Sequence, residues 1–272
     1  MTAAPIGIFD SGVGGLSVVR AIQRILPEHP LIYMADQAHV PYGPRPLEEV
    51  RQFSESITRY LLGEGARLIV VACNTASAAA LHALRATFPD IPFVGMEPAV
   101  KPAAEQTVTG VVGVLATPAT FQGALYASVV ERFGQGVTLL QNTCPGLVQQ
   151  IEAGNLTGTE TRQILEQALH PMLAQGIDTV VMGCTHYPFV IPLVEAIAGP
   201  SVRVIDPAPA VARQTARLIE QYQLSGAGNV EITPSRFITT GAVEKLAALL
   251  PELLGRDYVC EGLSWRGNEL GA

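Results

Sequence analysis

Two of the four cysteines occupy positions typical of catalytic residues in α/β proteins. Cys73 follows the apolar run at residues 68–72, and Cys184 comes shortly after the apolar run at residues 179–182. Each precedes polar residues that can open a helix. The partial positive charge of a helix N-terminus lowers the pKa of a thiol and favours the thiolate. The sequence therefore predicts two exposed, reactive thiols.

An internal repeat relates these two cysteines to each other. Three segments recur in the same order roughly 110 residues further along the chain: 7–11 as 113–117, 69–75 as 180–186, and 97–99 as 206–208. This pattern indicates two similar lobes that arose by duplication. Ligands of open α/β sheets bind beyond the carboxyl ends of the strands. Cys73 and Cys184 are therefore expected on opposite walls of one cleft.

A thiol on each wall suits a reaction that removes a proton from one face of a carbon and returns one to the other face. This arrangement predicts a two-base racemase or epimerase. A dithiol redox pair is the competing interpretation, but it requires sulfurs close enough to bond, and the sequence has no CxxC spacing.

Polar residues near the thiols fit proton transfer. Asp10 ends an apolar run and begins a glycine-containing loop in which Gly12 and Gly14 allow close approach of the backbone to a ligand. Ser17 occupies the third glycine position of a dinucleotide fingerprint, so a small carboxylate is a better guest than a pyrophosphate. His186, two residues after Cys184, can shuttle protons near neutral pH.

The rest of the chain predicts an α/β fold that positions these residues. Continuous apolar runs alternate with segments of helical period, which is typical of parallel sheets covered by helices. Pro46 is expected at the first position of one such helix. We predict two pseudosymmetric doubly wound lobes with mostly parallel sheets facing a central cleft. The first comprises residues 1–97 and 208–272, and the second comprises residues 98–207.

Composition narrows the class of function. Of the 272 residues 48% are hydrophobic and 15% charged, and the net charge is −7. The chain therefore has a large core, and its acidic balance favours a small-molecule substrate over nucleic acid. The apolar runs are too short to span a membrane, and the first residues lack the features of a signal peptide, which predicts a cytoplasmic protein. The cysteines are expected as free thiols, with Cys144 and Cys260 structural and no metal site.

Four motifs together resemble the glutamate racemase family: residues 10–16, 41–43, 73–75 and 183–188. The resemblance spans about residues 6 to 212, in the right order. It implies cofactor-independent interconversion of L- and D-glutamate, which supplies D-glutamate for bacterial peptidoglycan. It also implies a homodimer.

The resemblance further implies roles for individual residues. Cys73 and Cys184 are the two acid/base thiols, with Asp10 assisting Cys73 and His186 assisting Cys184. Glu152 matches a family position near the second thiol. The implied substrate contacts are Asp10, Ser11, Tyr42, Gly43, Asn74, Thr75, Thr185 and His186.

Two alternatives stay open beside this interpretation. A related racemase acting on aspartate or another small acid is one of them, although His186 and the loop at residues 41–43 favour glutamate. A two-lobe protein that binds a small anion without converting it is the other. Binding alone gives no reason for a thiol on each wall, and this argues against the binding protein.

Overall fold

The computed structural model describes residues 3–225 and 234–271. The remaining residues all fall within the predicted first lobe and lie outside the described part of the chain. The strands are β1 (Ile6–Asp10), β2 (Leu31–Ala35), β3 (Leu68–Val71), β4 (Phe93–Gly95), β5 (Val111–Ala116), β6 (Thr138–Asn142), β7 (Thr179–Gly183), β8 (Arg203–Ile205), β9 (Arg236–Thr239), β10 (Cys260–Gly262), β11 (Ser264–Arg266) and β12 (Glu269–Gly271).

Helices connect these strands. They are α1 (Leu16–Ile25), α2 (Leu47–Gly63), α3 (Asn74–Thr87), α4 (Val100–Gln106), α5 (Pro118–Gln122), α6 (Ala124–Phe133), α7 (Leu147–Glu152), α8 (Thr159–Leu173), α9 (Ile191–Ala198), α10 (Ala208–Gln221) and α11 (Val243–Leu254), with a 3₁₀ turn at Tyr187–Val190. None of the helices in the described part of the chain is both long and apolar enough to cross a membrane.

Two parallel sheets form the framework. The larger has six strands in the order β10-β9-β2-β1-β3-β4, and the smaller has four in the order β6-β5-β7-β8. Within the larger sheet, the order β2-β1-β3-β4 is repeated by β6-β5-β7-β8 in the smaller. Strands β11 and β12 form a separate antiparallel pair. The mixed α/β class with two similar, mostly parallel sheets is confirmed.

Burial explains why the central strands are apolar throughout. In β1, Ile8 faces one core cluster and Phe9 faces the other, and both side chains are fully buried. The neighbouring strand β3 divides its residues in the same way, with Val70 on one side and Val71 on the other. A strand covered by helices on both faces cannot alternate apolar with polar residues.

Some predictions of local structure need adjustment. Pro46 is the cap residue before α2 rather than its first helical residue, and the helix begins at Leu47. The strands β9 and β10 extend the larger sheet beside β2. The exact division into residues 1–97 with 208–272 and residues 98–207 stays a prediction, although it assigns every strand of each parallel sheet to one lobe.

Candidate active site

The carboxyl ends of four central strands meet around one small cavity. Asp10 is the last residue of β1, Cys73 lies two residues beyond β3, Thr117 follows β5, and Cys184 follows β7. The cavity has a volume of about 20 Å³. It is lined by Ser11, Pro41, Tyr42, Gly43, Cys73, Asn74, Thr75, Thr117, Val148, Cys184, Thr185 and His186.

The first thiol, Cys73, caps the N-terminus of α3. Its Sγ accepts a hydrogen bond from the backbone N–H of Ala76 at 3.4 Å. Cys73 is only 5% exposed. Burial raises its pKa well above the usual value, and the nearby Asp10 carboxyl group raises it further, which outweighs the hydrogen bond from the helix terminus. The prediction of an exposed thiol with a lowered pKa is therefore wrong for Cys73.

The Asp10 carboxyl group stands beside this thiol. Its Oδ2 accepts a hydrogen bond from the backbone N–H of Gly15 at 2.7 Å, which fixes the loop between β1 and α1. The buried Oδ1 makes no standard hydrogen bond within the described residues. Burial raises the pKa of Asp10, against the lowering effect of His186 and of the Cys73 thiol. The Asp10 carboxyl group and the Cys73 thiol can therefore share a proton.

The second thiol, Cys184, has a different partner. Its Sγ lies 3.7 Å from Nδ1 of His186, and Nε2 of His186 lies 2.6 Å from Oε1 of Glu152. Burial lowers the pKa of His186, but the hydrogen bonds to Cys184 and Glu152 outweigh it and raise that pKa well above the usual value. His186 is therefore an imidazolium near neutral pH and donates to Glu152.

Glu152, the last residue of α7, lies at the centre of a hydrogen-bond network. Its Oε1 also accepts the backbone N–H of Val13 at 2.7 Å, and its Oε2 accepts Nε2 of Gln37 at 3.0 Å. Burial raises the pKa of Glu152, but the hydrogen bond and charge of His186, together with the other two donors, lower it overall. The carboxyl group is therefore ionised beside the imidazolium.

Glycines in the loop after β1 make room for these side chains. A Cβ atom on Gly14 would stand 2.4 Å from Nδ1 of His186 and 2.8 Å from Oδ2 of Asp10. A Cβ atom on Gly12 would stand 1.8 Å from Oε1 of Glu152. The absence of a side chain at Gly14 thus leaves room for Asp10, which lies beside Cys73, and for His186, which lies beside Cys184.

The other predicted substrate contacts also surround the cavity. The hydroxyl of Tyr42 donates to Oδ2 of Asp36 at 2.6 Å, so its hydrogen is already engaged. Thr75 shares a hydrogen bond of 2.8 Å with Thr117. Both polar atoms of the Asn74 side chain are buried without a hydrogen-bond partner among the described residues. The Asn74 side chain thus has unused hydrogen-bonding capacity next to the cavity.

Sequence reasoning missed several residues of this site. Thr117 lines the cavity, and the internal repeat carried a signal for it because Thr117 corresponds to Ser11. The hydroxyl of Ser17 in α1 donates to the backbone oxygens of Gly14 and Thr185, which ties α1 to the loop of the second thiol. Gln37 follows β2 and carried no sequence signal.

The remaining two cysteines lie apart from this cavity. Cys144 is buried with its pKa raised to about 12 by burial and by the nearby Cys184, and it lines a neighbouring cavity of about 210 Å³. Cys260 lies in the edge strand β10, half-buried. Their predicted structural role stays a prediction.

Comparisons with known proteins agree on one family. The family model described as Asp/Glu/Hydantoin racemase matches residues 12–215. A glutamate racemase of Ectopseudomonas mendocina is 49% identical over 252 residues, which cover 93% of this chain and 95% of that protein.

Solved structures give the same result. The glutamate racemase of Escherichia coli, in complex with L-glutamate and the activator UDP-MurNAc-Ala, matches with a TM-score of 0.85 at 32% identity, covering 97% of this chain and 100% of that one. A glutamate racemase isoform from Bacillus anthracis matches with a TM-score of 0.85 at 31% identity, covering 96% of this chain and 98% of that one.

Proposed function

The chain belongs to the Asp/Glu/hydantoin racemase family and is an amino-acid racemase of the glutamate racemase type; on that premise we propose that it interconverts L- and D-glutamate by proton transfer through Cys73 and Cys184. The product D-glutamate would serve peptidoglycan synthesis. The cytoplasmic location and the homodimer stay predictions.

One observation carries the proposed mechanism. Cys73 and Cys184 line the same cavity, and each follows the carboxyl end of a strand in a different sheet. The two thiols are close enough that a charge on Cys184 raises the pKa of Cys73. Each thiol has its own acid/base partner, Asp10 for the first and the His186–Glu152 pair for the second. Two separately assisted thiols fit a reaction with one base on each face of a carbon.

The reaction is a proton exchange without net oxidation. One cysteine, as thiolate, takes the α-proton, and the bond electrons remain on the α-carbon. The opposite cysteine, as thiol, gives its proton to the other face of that carbon. After this step the two cysteines have exchanged their protonation states, and the enzyme is ready to bind the opposite enantiomer. Asp10 and His186 return the thiols to their starting states by accepting or donating a proton.

The difficult step is formation of negative charge next to a carboxylate. Hydrogen-bond donors that are fixed before the reaction stabilise such charge most strongly where water is excluded. Asn74, with its unpartnered amide, and the nearby Ser11 and Thr185 line the buried cavity and can supply these donors.

A direct test uses the purified protein in deuterated buffer without added cofactor. We expect incubation with L-glutamate, and separately with D-glutamate, to converge on the racemate with deuterium at the α-carbon. Optical rotation and proton NMR would follow the two changes.

Assays with other amino acids would test whether glutamate is the substrate and whether the protein transfers protons at all. Conversion of aspartate but not of glutamate would replace the proposed substrate. If no small acidic amino acid lost optical activity or exchanged its α-proton, the proposed proton-transfer function would be wrong.

A further inference from the structure

Gln37 connects the larger sheet to Glu152, the carboxylate that holds His186 beside Cys184. Glu152 lies between β6 and β7 of the smaller sheet, and its partner His186 lies just beyond β7. Its two other donors, the backbone N–H of Val13 and the amide of Gln37, follow β1 and β2 of the larger sheet. The Glu152 carboxylate therefore has all three donors only while the carboxyl ends of the two sheets are in contact.

The orientation of the Gln37 amide is fixed by a chain of hydrogen bonds. The backbone N–H of Gly241 donates to Oγ1 of Thr239 at 2.9 Å, and the hydroxyl of Thr239 donates to Oε1 of Gln37 at 2.8 Å. Because Oε1 accepts from Thr239, the NH₂ group of Gln37 is the end that faces Glu152. Thr239 is fully buried, so this orientation is held within the larger sheet.

We propose that Gln37 is a positioning residue for Glu152. By donating to Glu152 where the carboxyl ends of the two sheets are in contact, it keeps that carboxylate ionised and, through His186, prepares Cys184 for proton transfer. This inference rests on the proposed function. A carboxylate that loses a donor binds a proton more readily, and an imidazolium that loses its carboxylate releases its proton more readily. Gln37 thus supports both charges of the Glu152–His186 pair.

Other ionisable groups also face this pair. Asp10 interacts electrostatically with His186, and Tyr33 interacts with Glu152. Burial raises the pKa of Tyr33 well above its usual value, so Tyr33 stays neutral near pH 7. Cys184 contacts His186 directly. The hydrogen bonds of the Gln37 amide go to Glu152 and Thr239, so its replacement acts first on Glu152.

The test compares two substitutions of Gln37 with a matched control. Gln37→Met keeps the length of the side chain and removes the donor, while Gln37→Glu puts a second carboxylate against Glu152. Gln23→Met removes a similarly half-buried amide that bonds to Tyr258, away from the cavity. Thermal unfolding of all variants would establish that each one folds.

The expected result is a narrower pH range of activity. In Gln37→Met, the acid limb of the kcat/KM profile moves up and the alkaline limb moves down, each by about one pH unit for the loss of one hydrogen bond to a charged group. Gln37→Glu moves the acid limb further up, because a second carboxylate repels the charge of Glu152, and it does not lower the alkaline limb, because the added negative charge favours the imidazolium. Gln23→Met leaves both limbs in place.

A second measurement does not depend on turnover. NMR titration of the His186 imidazole, assigned by comparison with His186→Gln, should show a lower pKa in Gln37→Met and no such lowering in Gln37→Glu, whose added carboxylate favours the imidazolium. A uniform loss of activity with unchanged limbs and an unchanged His186 titration would overturn the positioning role. If the wild-type protein failed to racemise glutamate but the titration still moved, the proposed function would fail while the link from Gln37 to His186 would stand.

Discussion

The two thiols have unlike partners, and this difference governs their chemistry at the residue scale. Cys73 is paired with a carboxyl group whose pKa is raised by burial, whereas Cys184 is paired with an imidazolium held by a carboxylate. Burial and the Asp10 carboxyl group also raise the pKa of Cys73 well above its usual value. In the proposed mechanism, Cys73 therefore rests as the protonated thiol, and it acts as a base only after its own proton has been passed on.

Replacement of either thiol should stop racemisation. Cys73→Ser and Cys184→Ser are each expected to lower kcat/KM for racemisation by at least about 10²- to 10⁴-fold, the contribution usual for a positioned acid or base. A serine hydroxyl is too weak an acid to replace a thiol in proton exchange with carbon.

The control for this prediction is Cys260→Ser, since Cys260 lies in the edge strand β10 away from the cavity. We expect this variant to keep wild-type activity. Retention of full activity by Cys73→Ser or Cys184→Ser would contradict the two-thiol mechanism.

The ionic pair beside Cys184 should also affect stability as a function of pH. The folded pKa of His186 lies well above 6.5 because its contacts with Cys184 and Glu152 outweigh burial. The stability that this imidazolium contributes is present below about pH 6.5 and is lost as the pH rises through the folded pKa. Urea unfolding of wild type and His186→Gln should give a difference in free energy that shrinks from pH 6.5 upward. A difference that grew with pH would show that His186 is buried as a neutral ring.

At the scale of elements, the loop between β1 and α1 fits closely against both acid/base groups. Gly14→Ala should lower kcat by about 10²-fold or more, because displacing a catalytic group by an ångström has effects of that size. Gly63→Ala is the matched control, since a Cβ atom at Gly63 meets open space. Steady-state kinetics of the two variants would measure the effect, and equal activities would show that the loop yields without displacing His186 or Asp10.

The sequence predicted those elements whose pattern is decided by burial on both faces. β1, β3, β5 and β7 are continuous apolar runs, and they deliver the thiols and Asp10 to the site. The apolar run at residues 202–205 predicted β8, although it is an edge strand of three residues, whereas β4 and β6 were missed. The residues of β6 are only partly buried or exposed, so this strand does not form a continuous apolar run.

The same limit applies to the site. The internal repeat predicted that Cys73 and Cys184 lie at one cavity, and residue type predicted Asp10 and His186 near them; the catalytic roles of these four residues stay predictions. The contact of Gln37 with Glu152 joins residues 115 positions apart in the chain, and no local pattern encodes it. The raised pKa of Cys73 also depends on burial next to Asp10, which only the tertiary structure supplies.

At the scale of the whole molecule, the small volume of the cavity leads us to expect that the carboxyl ends of the two sheets move apart when substrate enters. A volume of about 20 Å³ holds one water molecule and not an amino acid. Thr75 with Thr117, and Ser17 with Thr185, form hydrogen bonds across the closed edges. Opening must break these contacts and closure must restore them.

A reversible crosslink outside the cavity would test this requirement. A Cβ atom on Gly123, beyond α5, would lie 2.7 Å from that of Ala78 in α3, so a disulfide needs only about 1 Å of separation. Oxidised Ala78→Cys/Gly123→Cys should lose activity, and a thiol reductant should restore it. Each single variant and the wild type under the same oxidant are the controls. Full activity of the crosslinked protein would mean that substrate enters without separation of these elements.

The unlike partners of the two thiols have a further consequence for catalysis in opposite directions. L- and D-glutamate have equal free energies in water, so the equilibrium constant between them is one, and kcat/KM must have the same value for both enantiomers. The walls of the cavity are not mirror images, since a carboxyl group stands behind Cys73 and an imidazolium behind Cys184. The enzyme can therefore have a lower KM for one enantiomer than for the other. Because kcat/KM is equal for the two, kcat for the enantiomer with the lower KM must be lower by the same factor.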